Sequence, residues 1–254
     1  MRSGSFRGRS CHDRPVPRPR TITPVVPREI SVHDGLAYSL WLPEADRDVR
    51  GGVVILHGAG SCKESHHDYA RLLVAARYAA ISFDQRGHGA SDGPMDGRAI
   101  ADICSIADLL RSRIGGPDAP IALRGSSMGG CFALMAASGV GAAAVVAICP
   151  ASPRGLQRGI EAGTLGFDAD VDQLSALLGE ADLHETVGSL QMPVLILHAE
   201  GDEQVPVEHS RELAARFAVP VSRLITVPGG HHRSVQHDEE LQAVSLRFIE
   251  RALG

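Results

Sequence analysis

The sequence predicts an α/β fold, with a mostly parallel, twisted sheet that carries helices on both faces. Its 254 residues, 44% of them hydrophobic, are enough to form the core of one large domain. Most apolar runs are short and nearly continuous, which is typical of parallel strands buried on both faces. Longer segments with helical periodicity separate these runs, and right-handed crossovers would place them in two layers around one sheet.

A β-hairpin is predicted at the start of the folded part, in residues 29–42. The stretch EISVHDGLAYSLWL contains two short runs in which apolar and polar residues alternate. Asp34 and Gly35 separate the two runs, and Asp-Gly is a dipeptide that two-residue hairpin turns favour. We therefore expect two antiparallel strands before the parallel part of the sheet.

Six further strands and five main helices are predicted to alternate after the hairpin. Apolar runs that read as buried strands lie at residues 52–56, 79–83, 120–124, 143–148, 193–197 and 222–227. Segments with helical periodicity lie at residues 69–77, 97–113, 128–138, 206–218 and 239–253.

The connection at residues 151–190 interrupts this alternation. Its segments DQLSALL and LHETVGSL predict one or two short helices. Ligands of open α/β sheets bind beyond the carboxyl ends of the strands, so an insertion that follows Ile148 would lie over that edge as a small lid. Its apolar side chains could either contact an acyl group or pack the insertion against the domain; they are Leu156, Ile160, Leu165, Phe167, Leu174, Leu177 and Leu178.

The first 28 residues are predicted to form a disordered tail, separate from an α/β domain at residues 29–254. They are rich in arginine and proline and poor in large apolar residues, so burial could not offset the entropy cost of ordering them. An organelle transit peptide and an anion-binding arm are alternative interpretations. No apolar run in the sequence is long enough to predict a membrane span.

Composition narrows the classes of partner. A formal net charge of -5 provides no overall attraction for nucleic acid. The five cysteines are scattered and include no CxxC pair, which argues against a disulfide framework and against a zinc site. We therefore expect a cytoplasmic protein without a metal or cofactor, in which Cys104 and Cys149 are small buried residues.

Two adjacent serines in LRGSSMGG lie between an apolar strand and an apolar helix. A nucleophile at such a sharp turn has a strained backbone, and close neighbouring chains then require glycine two residues away on either side. Ser127 has Gly125 and Gly129 at these positions, whereas Ser126 would have an arginine and a methionine. Ser127 is therefore the predicted nucleophile.

A serine nucleophile needs a base and an acid that orients the base. Asp202 lies beyond the strand in PVLILHAEGDEQVP, and the pair His231-His232 lies beyond the strand in RLITVPGGHH. We expect Asp202 to be the acid and His232 the base, with His231 as the alternative base. Three other carboxylates are interpreted as solvated loop charges or as lying before the strand: Glu200, Glu203 and Asp182.

The oxyanion that forms during acyl transfer needs backbone N–H donors. Met128 directly follows the predicted nucleophile, and Ala59 follows the strand at residues 52–56 in the phrase HGAG. We expect the N–H groups of these two residues to form the oxyanion hole. The preceding His57 is interpreted as a structural residue of the loop.

Five phrases resemble the α/β-hydrolase family, in the same order along the chain: VVILHGAG, ISFDQRGHGASDG, GSSMG, HAEGDEQVP and PGGHH. The resemblance covers residues 29–254 and includes the family's order of serine, acid and histidine. It implies the α/β-hydrolase fold, and the chain is most similar to small esterases, acyl-peptidases and dienelactone-hydrolase-like enzymes. The last group commonly uses a cysteine where this chain has Ser127. The resemblance also implies that Asp84, Arg86, Gly87, Gly89 and Ser91 brace the loop near the nucleophile.

These features lead to the hypothesis of a serine hydrolase that cleaves a carboxylic ester of a small or medium acyl group through an acyl-enzyme. An acyl-peptidase or a thioesterase would use the same three residues. A non-catalytic binding protein with the same fold is an alternative of another class. The expected partner is a small-molecule ester or a related acyl compound.

Two further alternatives fit the same residues less well. Gly58 and Gly60 follow a strand and Asp84 ends the next, as in a dinucleotide-binding enzyme, but Lys63 occupies the position of the third glycine. The pair His231-His232 lacks the spacing of a known metal site. The same is true of a second group, formed by Cys62, His66, His67 and Asp68.

Overall fold

A computed structural model describes residues 25–44 and 48–254 of the chain. Its eight strands form one sheet in the order β1-β2-β4-β3-β5-β6-β7-β8. The strands are β1 (Glu29–His33), β2 (Leu36–Trp41), β3 (Gly52–Leu56), β4 (Ala79–Phe83), β5 (Ile121–Ser126), β6 (Ala144–Ile148), β7 (Val194–Ala199) and β8 (Arg223–Val227). The strands from β3 to β8 are parallel to one another, so the predicted mostly parallel sheet is confirmed.

The predicted hairpin is formed by β1 and β2, which pair antiparallel with His33 opposite Leu36. Asp34 and Gly35 connect them with φ angles of 51° and 78°. Positive φ at both central residues is the conformation that matches the twist of the flanking strands. The hairpin joins the sheet through β2, which pairs antiparallel with β4.

Eight α-helices lie within the described ranges. They are α1 (His67–Ala75), α2 (Ala99–Ile114), α3 (Met128–Val140), α4 (Pro153–Glu161), α5 (Val171–Glu180), α6 (Leu183–Ser189), α7 (Val207–Ala214) and α8 (Glu239–Leu253). A 3₁₀ helix at Lys63–His66 precedes α1. The helix predicted at residues 206–218 is shorter, because the chain changes to i→i+3 hydrogen bonds at Arg216 and Phe217.

The core has two layers, one on each face of the sheet. Side chains of β3 alternate between them: Val54 and Leu56 pack with α2 and α3, whereas Val53 and Ile55 pack with α1 and α8. The alternation follows from the two-residue period of a strand. The prediction of helices on both faces is thus confirmed.

The connection at residues 151–190 contains three helices, α4 to α6, rather than the predicted one or two. Sequence analysis missed α4, although its start has a recognisable signal. Ser152 is the N-cap, its Oγ accepts a hydrogen bond of 3.1 Å from the N–H of Gly155, and Pro153 is the first helical residue. Most apolar residues of the connection pack into the core: Leu156, Ile160, Leu174 and Leu178 are buried, and Leu165, Phe167 and Leu177 lie against them.

The predictions about the N-terminal tail and about the cysteines involve some residues that the structure does not describe. Residues 1–24 of the predicted tail, and Cys11 with them, lie outside the described residues. The four cysteines that are described are free thiols. No helix in residues 25–44 or 48–254 is both long enough and apolar enough to cross a membrane.

Candidate active site

Ser127 lies in a strained turn between β5 and α3. Its φ is 54° and its ψ is -117°, a conformation that is uncommon for residues other than glycine. The main chain of the turn is fixed by hydrogen bonds: the N–H of Ser127 donates to the Ile148 carbonyl at 2.8 Å, and its carbonyl accepts from Cys131 at 3.0 Å. The turn therefore holds Ser127 where the strand ends and the helix begins.

The two flanking glycines are required by close backbone contacts. A Cβ atom on Gly125 would lie 2.0 Å from the carbonyl oxygen of Gly129, and one on Gly129 would lie 2.5 Å from the carbonyl oxygens of Leu56 and His57. Backbone atoms cannot move aside as flexible side chains do. This crowding is the physical reason for the pattern of glycines around Ser127 that the sequence contains.

Asp202 and His232 come together at the carboxyl edge of the sheet. Asp202 follows β7, and its Oδ2 accepts a hydrogen bond of 2.7 Å from Nδ1 of His232. Its Oδ1 accepts from the N–H groups of Gln204 and Val205, both at 2.9 Å. Burial acts to raise the pKa of Asp202, but these donors outweigh it and hold that pKa below its usual value. The carboxylate is therefore an ionised acceptor beside His232.

The other candidates for the acid and the base do not take part in this contact. His231 is exposed, and its N–H donates to Ser234 Oγ rather than to the acid. Glu200 forms an ion pair of 3.4 Å with Arg211, and Glu203 is exposed. Asp182 caps α6, because its Oδ1 accepts from the N–H of His184 at 2.9 Å. Of the two adjacent histidines, His232 is the one in contact with the predicted acid.

The predicted oxyanion donors lie on two sides of Ser127. Met128 is the first residue of α3, and the N–H groups of the first helical turn have no acceptor within their own helix. The helix N-terminus adds a partial positive charge at this point. Ala59 lies on the loop after β3, and a Cβ on the preceding Gly58 would lie 3.3 Å from Cβ of Ser127. The loop of Ala59 thus passes close to the serine.

A pocket of about 660 Å³ contains both Ser127 and His232 in its lining. Ala59 and Ser126 also line this pocket. From the α4–α6 connection, Leu156 and Leu165 are the only residues of the predicted apolar lid set in the described lining. The remaining apolar side chains of that set pack the connection against the domain instead.

His57 has the structural role that the sequence predicts. It is completely buried, its Nε2 accepts from the N–H of Gln85 at 3.0 Å, and its Nδ1–H donates to the carbonyl of Gly58 at 2.8 Å. Burial, together with the nearby His88, lowers the pKa of His57 to about 4. His57 is therefore a neutral brace for the loop that carries Ala59.

The dinucleotide-binding alternative is wrong, because Asp84 is occupied by contacts within the chain. It is completely buried, and its carboxylate accepts from the N–H and the Nζ of Lys63, each at 2.7 Å. Its Oδ2 also accepts from the N–H of Ala90 at 3.0 Å. In the same stretch Arg86 pairs with Asp102 at 2.9 Å. These contacts fix the loop after β4 and leave no carboxylate oxygen to hold a ribose.

Sequence analysis missed two residues beside the predicted acid. His198 of β7 is completely buried; its Nε2–H donates to the Val205 carbonyl at 2.9 Å and lies 3.4 Å from Oδ2 of Asp202. Cys149, after β6, has a φ of 42° and packs near Asp202 and His232. Burial raises the pKa of this thiol to about 12. The only signal in the sequence was their position: Cys149 directly follows strand β6, and His198 lies near the end of strand β7.

The side chains that could hold a metal ion are grouped differently from the two sets named in the sequence analysis. Within the described residues, two groups of three bring possible ligand atoms within 4.8 Å of one another. One consists of Cys149, Asp202 and His232, and the other of His184, His209 and Glu212. The first coincides with the predicted acid and base. Neither group includes Cys62, His66, His67 or Asp68, and the first contains His232 without His231.

Comparisons with known proteins show which family the chain resembles. Residues 47–160 match the model of the serine aminopeptidase, S33, family. A monoacylglycerol lipase of Mycolicibacterium smegmatis is 26% identical over 251 residues, covering 81% of this chain and 88% of the relative. The chain has the α/β-hydrolase fold and is similar to hydrolases of this superfamily.

Solved structures of α/β-hydrolases have the same fold. Est1E from Butyrivibrio proteoclasticus, bound to ferulic acid, superposes with a TM-score of 0.69 at 22% identity, covering 87% of this chain and 97% of that one. A soluble variant of monoglyceride lipase from Saccharomyces cerevisiae, in complex with a substrate analogue, superposes with a TM-score of 0.70 at 17% identity. The two chains are covered to 94% and 98% in that comparison. The resemblance noted in the sequence is thus confirmed.

Proposed function

We propose that this protein is a serine hydrolase that cleaves a carboxylic ester of a small or medium acyl group. The observation that carries the proposal is the shared pocket: it is lined by the strained Ser127 and by His232, whose ring donates to Asp202 at 2.7 Å. Nucleophile, base and acid are the three roles that acyl transfer by serine requires. Ser127, His232 and Asp202 take these roles in the order given.

In the proposed first half-reaction, Ser127 Oγ attacks the ester carbonyl while Nε2 of His232 accepts its proton. The contact with Asp202 supports this direction, since a proton on Nδ1 leaves Nε2 of the neutral ring as the acceptor. The N–H groups of Ala59 and Met128 bind the oxyanion. The bond between the acyl carbon and the alcohol oxygen then breaks, and His232 returns the proton to the departing alcohol.

The second half-reaction repeats the first with water in place of serine. His232 accepts a proton from water as the water oxygen attacks the acyl-enzyme, and the carboxylic acid leaves as Ser127 regains its proton. General-base catalysis contributes roughly 10²- to 10⁴-fold and one oxyanion donor roughly 10²- to 10³-fold. All atoms and protons of the cycle are supplied by the ester, by water and by residues of this chain.

Ester hydrolysis is also supported by the relatives, whose names include monoacylglycerol lipases. The matching family model is named for a serine aminopeptidase, which makes a peptidase the second candidate. Recognition of a free α-ammonium group calls for a nearby carboxylate. Among the described residues that line the pocket, none is an aspartate or a glutamate. This lining favours the ester over the peptide.

A fluorophosphonate probe tests the proposed nucleophile, because it traps only an activated serine. We expect mass spectrometry to find the adduct on Ser127, and we expect Ser127→Ala to lose both labelling and ester turnover. Ser126→Ala is the matched control: Ser126 Oγ is buried without a hydrogen-bond partner among the described residues, so its removal should spare activity. An adduct on Ser126 would contradict the assignment.

The base is tested by comparing two neighbouring substitutions. His232→Ala should abolish labelling and turnover, whereas His231→Ala should retain both, because His231 is exposed and does not contact Asp202. Loss of activity in His231→Ala alone would exchange the two roles. Folded protein in which the probe labels no serine would favour a non-catalytic binding protein.

A further inference from the structure

The pocket around Ser127 is more polar than a site for a plain hydrocarbon chain would need to be. Beside Leu156 and Leu165, its lining includes Arg158, Arg233 and Gln204. Ligand pockets are usually mostly apolar, and their few polar groups fix the orientation of the ligand. Two guanidinium groups in one pocket therefore point to a charged feature of the ligand.

The two arginines have no counter-ion among the residues that the structure describes. Within the described residues, neither Arg158 nor Arg233 forms an ion pair or a hydrogen bond with a carboxylate through its side chain. The described lining of the pocket also contains no acidic residue. Other exposed arginines of the chain do have partners, such as Arg113 with Glu29 at 2.6 Å and Arg211 with Glu208 at 2.8 Å. The positive charge in the pocket is thus left for a ligand.

The two guanidinium groups reach the pocket from different parts of the chain. Arg158 belongs to α4, in the connection at residues 151–190, and Arg233 directly follows His232. Planar guanidinium groups bind carboxylate and phosphate oxygens in a bidentate manner. A cleft lined by charge of one sign also raises the local concentration of ligands of the opposite sign. The local charge is positive although the whole chain carries a formal net charge of -5.

We infer that the substrate of this site is an ester that carries an additional anionic oxygen group, a carboxylate or a phosphate, bound by Arg158 and Arg233. The inference rests on the proposed ester hydrolysis and specifies the class of ester. The reaction that supplies such a substrate would esterify one carboxyl of a dicarboxylic acid, or would acylate an alcohol that bears a phosphate.

The experiment compares kcat/KM for matched neutral and anionic esters. The first pair is 4-nitrophenyl butyrate and 4-nitrophenyl hemisuccinate, which differ mainly by a carboxylate at the end of the acyl chain. The second pair is 1-butyrylglycerol and 1-butyrylglycerol 3-phosphate, which places a phosphate on the alcohol side. We expect the enzyme to prefer the anionic member of at least one pair and the preference to decrease as salt is added. The pair in which the anionic ester is preferred shows whether the anionic group is a carboxylate on the acyl side or a phosphate on the alcohol side.

Substitution of the arginines assigns the preference to the pocket. Both side chains belong to exposed residues, so we expect Arg158→Gln and Arg233→Gln each to lower the anionic-to-neutral ratio by roughly 2- to 5-fold. Because both esters are measured on the same variant, any effect on His232 cancels in the ratio. Arg154→Gln is the matched control: Arg154 lies on the same helix but lines a different pocket, so the ratio should stay at the wild-type value.

Failure of this inference is distinguishable from failure of the proposed function. Turnover of the neutral esters with an anionic-to-neutral ratio at or below one in both pairs would overturn the anionic class and leave the ester hydrolase standing. A ratio that Arg158→Gln and Arg233→Gln do not change would do the same. If no ester is turned over, the rates of labelling by a neutral and a carboxylate-bearing fluorophosphonate replace the two rates. Absence of any labelling at Ser127 would overturn both proposals.

Discussion

The turn at Ser127 and the loop at His232 line the same pocket, but they are held in different ways. Every residue of β5, which leads into the turn, is buried, whereas β8, which leads into the loop, is partly exposed. A Cβ on Gly125 would lie 2.0 Å from a backbone oxygen, while one on Gly229 would meet no atom within 4 Å. The serine is held by close packing, whereas the loop that carries the histidine has free space beside Gly229.

The loop of His232 is held mainly by hydrogen bonds of short range. His231 and Ser234 form a turn in which the Ser234 N–H donates to the His231 carbonyl at 2.9 Å. The connection to the rest of the domain includes the 2.7 Å hydrogen bond from His232 to Asp202 and one from the Gly201 N–H to the Gly229 carbonyl at 2.9 Å. We therefore expect changes at the turn around Ser127 to reduce stability, and changes at the proposed acid and base to reduce activity.

The largest expected effect is the loss of stability in Gly125→Ala. The added methyl group would overlap backbone atoms of Gly129, so α3 or β5 would have to move, at a cost of about 3 kcal/mol or more. Gly229→Ala is the matched control, since it has free space and only the strain of a φ of 67°, about 1–2 kcal/mol. Urea denaturation of both variants measures the difference. Equal losses of unfolding free energy would refute the contrast between the two regions.

The next effect concerns activity with little change in stability. Asp202→Asn keeps an oxygen that can accept from Gln204 and Val205, but it removes the charge beside Nδ1 of His232. We expect kcat for a neutral ester to fall by roughly 10²- to 10⁴-fold, because the ring is no longer held in the required tautomer. The unfolding free energy, measured in parallel, should change far less than in Gly125→Ala. A variant with wild-type kcat would exclude Asp202 as the acid.

The sequence predicted the region around Ser127 better than the other parts of the candidate site. The glycines, the strand and the helix there follow from local geometry, which a short stretch of sequence expresses directly. The choice between His231 and His232 depends on a contact with Asp202, 30 residues away along the chain. Likewise, α4 was missed because its apolar residues are interrupted by glycines and charges, and only its Ser-Pro start signals a helix.

Side-chain contacts across the sheet were beyond sequence reasoning for a different reason. His198 lies within the correctly predicted strand β7, yet nothing in its neighbours along the chain indicates contact with Asp202. The pairing of Lys63 with Asp84 is equally remote, since it joins the loop after β3 to the end of β4. Strand patterns predict which residues share a sheet, but the partners of polar side chains depend on the assembled fold.

The pH dependence of the unfolding free energy tests the buried region near Ser127, where His57 lies. The pKa of His57 is lowered to about 4 in the folded protein, against roughly 6.5 in an unfolded chain. The unfolded state therefore binds the proton first, so stability is lost as the pH falls from about 6.5 to about 4, by up to about 3 kcal/mol from this residue. His57→Gln should flatten this dependence, whereas His33→Gln, at the partly exposed hairpin, should retain it. An unchanged slope in His57→Gln would contradict the prediction.

The smallest expected effect comes from His198, a positioning residue that links strand β7 to the proposed acid, Asp202. Its Nδ1 accepts from Ser210 Oγ at 2.6 Å, which leaves the proton on Nε2, facing the Val205 carbonyl and Oδ2 of Asp202. Burial lowers the pKa of His198, so the ring is neutral and its Nε2–H lies beside Oδ2 of Asp202.

We expect His198→Leu to lower kcat by roughly 10-fold with KM unchanged, because removal of the donor lets Asp202 and His232 depart from their productive geometry. His198→Gln can place an N–H near the position of Nε2 and should recover part of the lost kcat. Steady-state kinetics on a neutral ester and the unfolding free energy are measured for both variants. Equal loss of kcat in the two variants, in proportion to lost stability, would mean that His198 only fills space in the core.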